Sequence, residues 1–455
     1  MSGLSATLHY AELGSALTFD RLEGEAVARA KASILDALGC TLAGAGSEDA
    51  AIVRKAAATD GSGSSVVLGT GHRLSATAAA LANGTAGHAY DYDDSSPPMI
   101  GHPSVPIMSA LLSLAGGREV RGADIVTAYV AGLEIGAGLG RRMNPAHYAA
   151  GWHATATFGT LAATMAGTNL LRLDARRAAN ALGVAASSAA GVRKNFGSMA
   201  KPLHAGLAAI NGVLAVQLAQ SGFETDAEAL DGSNGFIDNF RGDAAMPVFE
   251  WSGPLEIAAS GVGIKRYPCC GCTHSALDAV LALRAEHRID PAQVASVHCT
   301  MNSLVPDILV HHRPTTPAQA KFSMEYCLAV ALLDGACGLD QFGPARVSAS
   351  DVQDLLRQVS TSVDPALVYR NGVYPGTISV TMKDGRVFET SREEALGHPD
   401  FPLAIGDLRQ KFMECAGRAL AQRRAEAAFA LLADLENVDD FGQIVTLLTQ
   451  QGDVA

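Results

Sequence analysis

From about Phe19 to Gly222 almost every segment carries helical spacing, yet the would-be helices are unusually rich in Ala and Gly. Val27, Ala30, Ile34, Leu38 and Leu42 fall on one stripe, and Ile125 to Leu139 repeats the pattern. A run such as Gly132-Leu-Glu-Ile-Gly-Ala-Gly-Leu-Gly140 lowers intrinsic helix stability but lets backbones approach closely. Helices of that kind survive by packing against one another, so this part of the chain must be one large all-helical domain.

After about Lys265 the texture changes. β-branched runs at Val294 to Thr300 and Thr377 to Met382, with Lys383-Asp-Gly-Arg386 after the second, read as strands and a hairpin. Helical patterns at Ala318 to Leu333 and Ser350 to Val359 alternate with them, and the segment closes near Pro399 and Pro402. From Ile405 to Leu432 helical spacing returns. With 455 residues, more than one core is expected. The chain therefore reads as mainly α: helices over 1–264, a smaller α/β lid domain over 265–402, and C-terminal helices over 403–455 that return to the first domain.

A formal charge of -12, with no run of Lys and Arg interleaved with aromatics, speaks against nucleic acid as a partner. An anionic substrate would need a local cationic pocket. Met1 to Tyr10 carries neither a basic n-region nor an apolar h-region, and no apolar run approaches bilayer-crossing length, so a soluble cytoplasmic protein without membrane attachment is expected. Of the eight cysteines only Cys269, Cys270 and Cys272 cluster, which fits reduced thiols better than a disulfide framework.

The chemistry concentrates in His88-Ala-Tyr-Asp91-Tyr-Asp93-Asp94-Ser95-Ser96 and the following Gly101-His102-Pro-Ser104. Carboxylates this close raise one another's proton affinity and fix the tautomers of neighbouring imidazoles, which suits acid/base work near neutral pH. Two other readings stand beside this one. Asp91, Asp93 and Asp94 resemble an Asp-rich magnesium motif, although no second such motif follows and Pro97-Pro98 places the cluster in a loop. Alternatively the carboxylates cap helix ends.

Further along, His153 follows Gly151-Trp152 at a helix start, where its proton affinity should fall. Lys201 precedes Pro202 at the start of another helix. A cation against the positive end of the dipole makes sense if an anion sits between them. Lys265-Arg266-Tyr-Pro-Cys269-Cys270-Gly-Cys272-Thr-His274 marks the domain junction. Its donors are too tightly spaced for paired Cys-x-x-Cys zinc geometry and no partner pair follows, so Lys265 and Arg266 read as anion ligands and the thiols as small fillers. Tyr326 lies in the strong helix of the second domain and can offer a phenol.

Taken in order, Gly87-His-Ala-Tyr-Asp91-Tyr-Asp-Asp94-Ser95, Gly101-His102-Pro-Ser104, Ala150-Gly-Trp-His153, Phe196-Gly-Ser-Met-Ala-Lys201-Pro-Leu-His204-Ala-Gly206, Lys265-Arg-Tyr-Pro268 and Ala320-Lys-Phe-Ser323-Met-Glu-Tyr326 resemble the MmgE/PrpD family. That family includes 2-methylcitrate dehydratase, cis-aconitate decarboxylase and iminodisuccinate epimerase, and the present motifs look most similar to epimerase-like members. The resemblance implies a homodimer with a helical domain and an α/β lid, acting on a small di- or tricarboxylate without metal or organic cofactor. It places active-site positions at Asp91, Ser95, His102, His153, Lys201, Lys265 and Tyr326. Cys270 stands where the decarboxylase branch has a His, which puts decarboxylation in doubt.

The expected mechanism opens with removal of a proton next to a carboxylate. His102, oriented by Asp91, is the base, and His153 or Tyr326 works on the opposite face. Lys201 belongs with the catalytic groups as the cation that stabilises the enediolate, while Lys265, Arg266, Ser95, His204 and Cys270 bind the substrate. Returning the proton on the far face gives an epimerase; protonating a leaving hydroxyl gives a dehydratase. A non-catalytic polycarboxylate-binding protein is the reading from another class, disfavoured by the excess of titratable groups over simple anion ligands.

Overall fold

The Ala/Gly-rich stripes become long helices packed backbone to backbone in a computed structural model, which describes residues 5–243, 245, 253–370 and 372–449. The ends of the first and last expected segments, 1–4 and 450–455, lie outside the described residues. By internal contacts the chain divides into two units. Unit 1 holds Met1–Ala89, Asp93–Val262 and Ala404–Ala455; unit 2 holds Gly263–Leu403 together with the three residues Tyr90–Tyr92.

Unit 1 is built on helices α1 (Gly24–Gly44), α2 (Ala76–His88), α3 (Ser104–Ala115), α4 (Gly122–Met143), α5 (Ala154–Leu170) and α6 (Ala200–Gln220). Ser75 caps α2 by accepting from Ala78 N, and the helix runs until it delivers His88 at its last turn. Helices α2 and α6 approach so closely that a Cβ on Gly84 would stand 2.7 Å from Gly206 Cα, and one on Gly206 2.5 Å from the Leu81 carbonyl oxygen. The missing side chains set this helix spacing, and with it the positions of the side chains at the helix ends.

Helices α4 and α6 are, by length and composition, apolar enough to cross a membrane, which corrects the sequence reading that no such run exists. In α4, 94% of the apolar window is buried inside the protein, and in α6 61%, as in core helices. A two-stranded antiparallel ribbon, β1 (Ser62–Val66) with β2 (Arg73–Leu74), interrupts the helical pattern where the sequence showed only a Gly/Ser-rich stretch.

Unit 2 carries a four-stranded sheet in the order β4 (Val359–Val363), β3 (Val294–Met301), β5 (Gly376–Met382), β6 (Val387–Arg392). β3 pairs parallel to β4 and antiparallel to β5, and β5–β6 is the hairpin expected from Asp384-Gly385. Val297, Cys299, Ile378 and Val380 point into the core with residues of α7 (His274–His287) and α8 (Met324–Asp334).

The single helix expected over Ala318 to Leu333 is in fact two. Pro317–Ala320 forms one turn and Met324–Asp334 the main helix. Ser323 adopts an extended backbone and accepts from Tyr326 N, so an N-cap inside the periodic run stops the first turn and starts the second. The tail helices α9 (Ile405–Ala416) and α10 (Gln422–Ala433) belong to unit 1, where Lys411 on α9 meets Asp36 of α1 at 2.5 Å in a buried ion pair.

Candidate active site

Four imidazoles converge in unit 1. His88 ends α2, His102 lies in the loop before α3, His153 caps the start of α5, and His204 lies within the first turns of α6. The His88 ring is centred 4.5 Å from that of His102 and 5.9 Å from that of His153, and His153 is 5.2 Å from His204. All but His102 are buried; the His102 side chain keeps 12% of its surface exposed.

Each ring is oriented by a different partner. The Asp93 carboxylate takes His88 Nδ1 at 2.8 and 3.0 Å, both side chains being fully buried. His102 Nδ1 stands 2.5 Å from the Asp94 backbone oxygen, with an Asp93 carboxylate oxygen behind it at 3.6 Å. A carbonyl oxygen only accepts, so Nδ1 carries the proton and the neutral ring has its lone pair on Nε2. The backbone of His102 is pinned as well, its N–H donating to Thr155 Oγ1 at 3.0 Å.

His153 and His204 face one another Nδ1 to Nδ1 at 2.9 Å, so one donates and the other accepts. Burial, then the Lys201 charge and the neighbouring imidazoles, hold the His153 ring well below its ordinary proton affinity. Burial, His88 and Lys201 bring His204 down to about 4. The low affinity of His153 inferred from its helix start is therefore present, but desolvation and cations cause it. Lys201 is buried in the first turn of α6, its ammonium 5.4 Å from the centre of the Phe196 ring.

The three aspartates of the motif take three different jobs. Asp93 orients imidazoles. Asp94 accepts from Ser104 Oγ and, at 3.4 Å, from Ser104 N at the start of α3, and Ser104 in turn meets the Tyr129 hydroxyl at 2.6 Å. Burial above all, with the nearby Asp36 charge, pushes the Asp94 carboxyl well up, and its bonds to Ser104 at the start of α3 make it a structural link, the helix-capping role weighed for this cluster. Asp91 belongs to unit 2 and pairs with Lys265, Nζ lying 3.1 Å from its carboxylate and 2.7 Å from its backbone oxygen. Asp91 has a left-handed backbone, φ 53°, unusual for a residue with a side chain. The groups of unit 1 found at His102 Nδ1 are Asp94 and Asp93.

The remaining candidates sit as follows. Ser95 is half-buried in bridged backbone next to the Ser96–Gly101 bridge. Arg266 gives its guanidinium to Asp278 at 2.9 Å, and Asp278 also accepts from the Tyr267 hydroxyl at 2.6 Å and from Leu396 N at 2.8 Å. That structural use differs from the anion-binding role read from sequence. Cys270 is buried, donates its backbone N–H to the Lys321 carbonyl at 3.0 Å, and pairs its thiol with that of Cys272. Tyr326 is buried in the core of unit 2, its hydroxyl donating to the Gln341 backbone oxygen. A phenol held this way serves the core, which departs from its expected place as a proton donor.

Sequence reasoning passed over His88 and Asp93 as individual site residues, although both stood inside the motif it singled out. The signal available was their spacing across the end of a helix, which lets the carboxylate fold back onto the last imidazole.

Comparison with known proteins gives two family matches: residues 9–248 match the MmgE/PrpD N-terminal domain and residues 267–437 the MmgE/PrpD C-terminal domain. Among curated proteins, the cis-aconitate decarboxylase of Homo sapiens is 29% identical over 460 residues, covering 98% of this chain and 94% of that protein. The cis-aconitate decarboxylase of Aspergillus terreus is 27% identical over 490 residues, covering 98% and 96%. The cis-aconitate decarboxylase-like protein oryM of Aspergillus oryzae is 27% identical over 461 residues, covering 94% of each.

Proposed function

Because this chain belongs to the MmgE/PrpD family of enzymes, matched in both of its domains, we propose that it moves a proton at the carbon next to a carboxylate of a small di- or tricarboxylic acid, without a cofactor, and that the outcome is epimerisation. The observation that carries this reading is the tautomer of His102. Its Nδ1–H is spent on the Asp94 carbonyl, so Nε2 is the basic atom.

In the first step His102 Nε2 takes the proton and the C–H electron pair moves into the adjacent carboxylate as an enediolate. Lys201, a buried ammonium in the same unit, holds that charge, and a preorganised cation of this kind is worth roughly 3 kcal/mol. His153 returns a proton to the opposite face, and its hydrogen bond to His204 supplies the next one. With its proton affinity held low, His153 rests neutral, so the proton it returns is its own ring N–H, drawn off as His204 donates Nδ1–H to His153 Nδ1.

A second reading has a specific support. The curated relatives aligned over nearly the whole chain are named as cis-aconitate decarboxylases, which favours a lyase acting on a tricarboxylate. The same groups serve it: the bond to a carboxyl carbon breaks in place of C–H, carbon dioxide leaves, and the ring N–H of His153 protonates the carbon. The test is product analysis on a panel of small acids that includes cis-aconitate. Inversion of a stereocentre supports epimerisation, carbon dioxide release the lyase reading, and water loss the dehydratase alternative. Binding of these acids without any turnover would contradict all three and leave a polycarboxylate-binding protein.

A further inference from the structure

Outside the imidazole cluster, unit 2 gathers three cysteines that the sequence keeps far apart. Cys269 precedes the turn leading into α7, Cys327 lies on α8, and Cys337 follows the left-handed Gly335 that ends α8. Their sulfurs all lie within 4.8 Å of one another and all three residues are buried. Thr273 Oγ1 lies 3.0 Å from the Cys269 sulfur, and the Cys327 thiol donates to the Ala320 carbonyl at 3.8 Å. His274 is the first residue of α7, with Nε2 3.3 Å from the Cys269 carbonyl.

We propose that Cys269, Cys327 and Cys337 form the sulfur face of a structural site for a thiophilic divalent cation of the zinc class. Four donors at tetrahedral zinc distances, about 2.3 Å for sulfur, stand roughly 3.8 Å apart, so the observed sulfur triangle needs only a small contraction to close on an ion. Three sulfur donors without a carboxylate among them select a soft or borderline cation over magnesium or calcium. On binding, the three thiols release their protons to solvent and the thiolates donate to the metal. The ion joins the Tyr267–Cys270 segment, α8 and the loop after α8. The local Cys-Cys-x-Cys spacing hid this possibility, because the donors that complete the set with Cys269 come from beyond position 320 rather than from Cys270 and Cys272.

The test uses the full-length chain stripped of metal and then loaded with zinc or cobalt. One equivalent per chain retained through gel filtration is expected, and the cobalt form should show the intense visible bands of a tetrahedral sulfur-rich site. Cys327→Ser and Cys337→Ser should each weaken binding by at least about tenfold, whereas Cys299→Ser, on β3, should retain it. If those variants do not fold, alkylation of the wild type decides, with three of its eight thiols shielded by zinc. Retention of less than stoichiometric metal, an octahedral cobalt spectrum, or a disulfide among the three cysteines in the freshly isolated protein would overturn the proposal.

Discussion

A carbonyl oxygen has no proton to give, and at the scale of single residues that elementary fact fixes most of the chemistry proposed for His102. Removing the ring should cost roughly 10²- to 10⁴-fold in turnover, the usual range for a positioned acid or base. Asp93→Asn is a subtler test. The amide keeps the shape but loses the charge behind His88 and His102, so kcat should fall while KM stays near its original value, and steady-state kinetics on the two variants separate these effects. Lys201→Ala should lower kcat, and Lys201→Arg should recover only part of it, since the guanidinium is larger than the buried ammonium it replaces.

At this scale the sequence identified the motif but not the roles inside it. Three aspartates in four positions look alike on paper. What separates them is the left-handed backbone at Asp91, which turns that carboxylate to Lys265, and the burial of Asp94 beneath Ser104 and Tyr129. Neither is encoded in spacing.

Among elements, the contact between α2 and α6 does most to place the site, because α2 ends in His88 and α6 begins with Lys201 and His204. Glycines at 84 and 206 make that contact possible. Gly206→Ala should destabilise the protein by about 1–3 kcal/mol, read as a lower unfolding midpoint in denaturant, and should reduce activity beyond the loss of folded protein as the helices spread. An unchanged midpoint would show that the helices have room to adjust.

The sequence read helices α1 and α4 and the β5–β6 hairpin well, since long stripes and an Asp-Gly turn are local signals. It missed the break at Ser323, where a cap competes with periodicity, and the β1–β2 ribbon, whose short strands carry no alternation. It also set Tyr326 on a substrate-facing side, because helical spacing gives a face but not what that face meets.

On the scale of the whole molecule, the division into a helical unit and an α/β unit follows from composition: Ala and Gly dominate one, β-branched runs the other. The helical unit buries several imidazoles in neutral form, and this has a cost in acid. His153 and His204 bind protons less readily when folded than at the ordinary value of 6.5, so the unfolded chain takes up more protons as the pH drops. Stability should therefore be constant above about pH 7, decline from there, and stop falling on the account of His204 near pH 4. Thermal unfolding between about pH 7 and pH 5 checks this, and replacing His204 by Gln should flatten part of the slope.

The central claim is that His102 removes a proton from carbon beside a carboxylate, and solvent isotope exchange reads that step directly. In deuterated water the wild-type enzyme should wash label into the α position of its acid substrate, and His102→Ala should not. Equal exchange by both proteins would contradict the account.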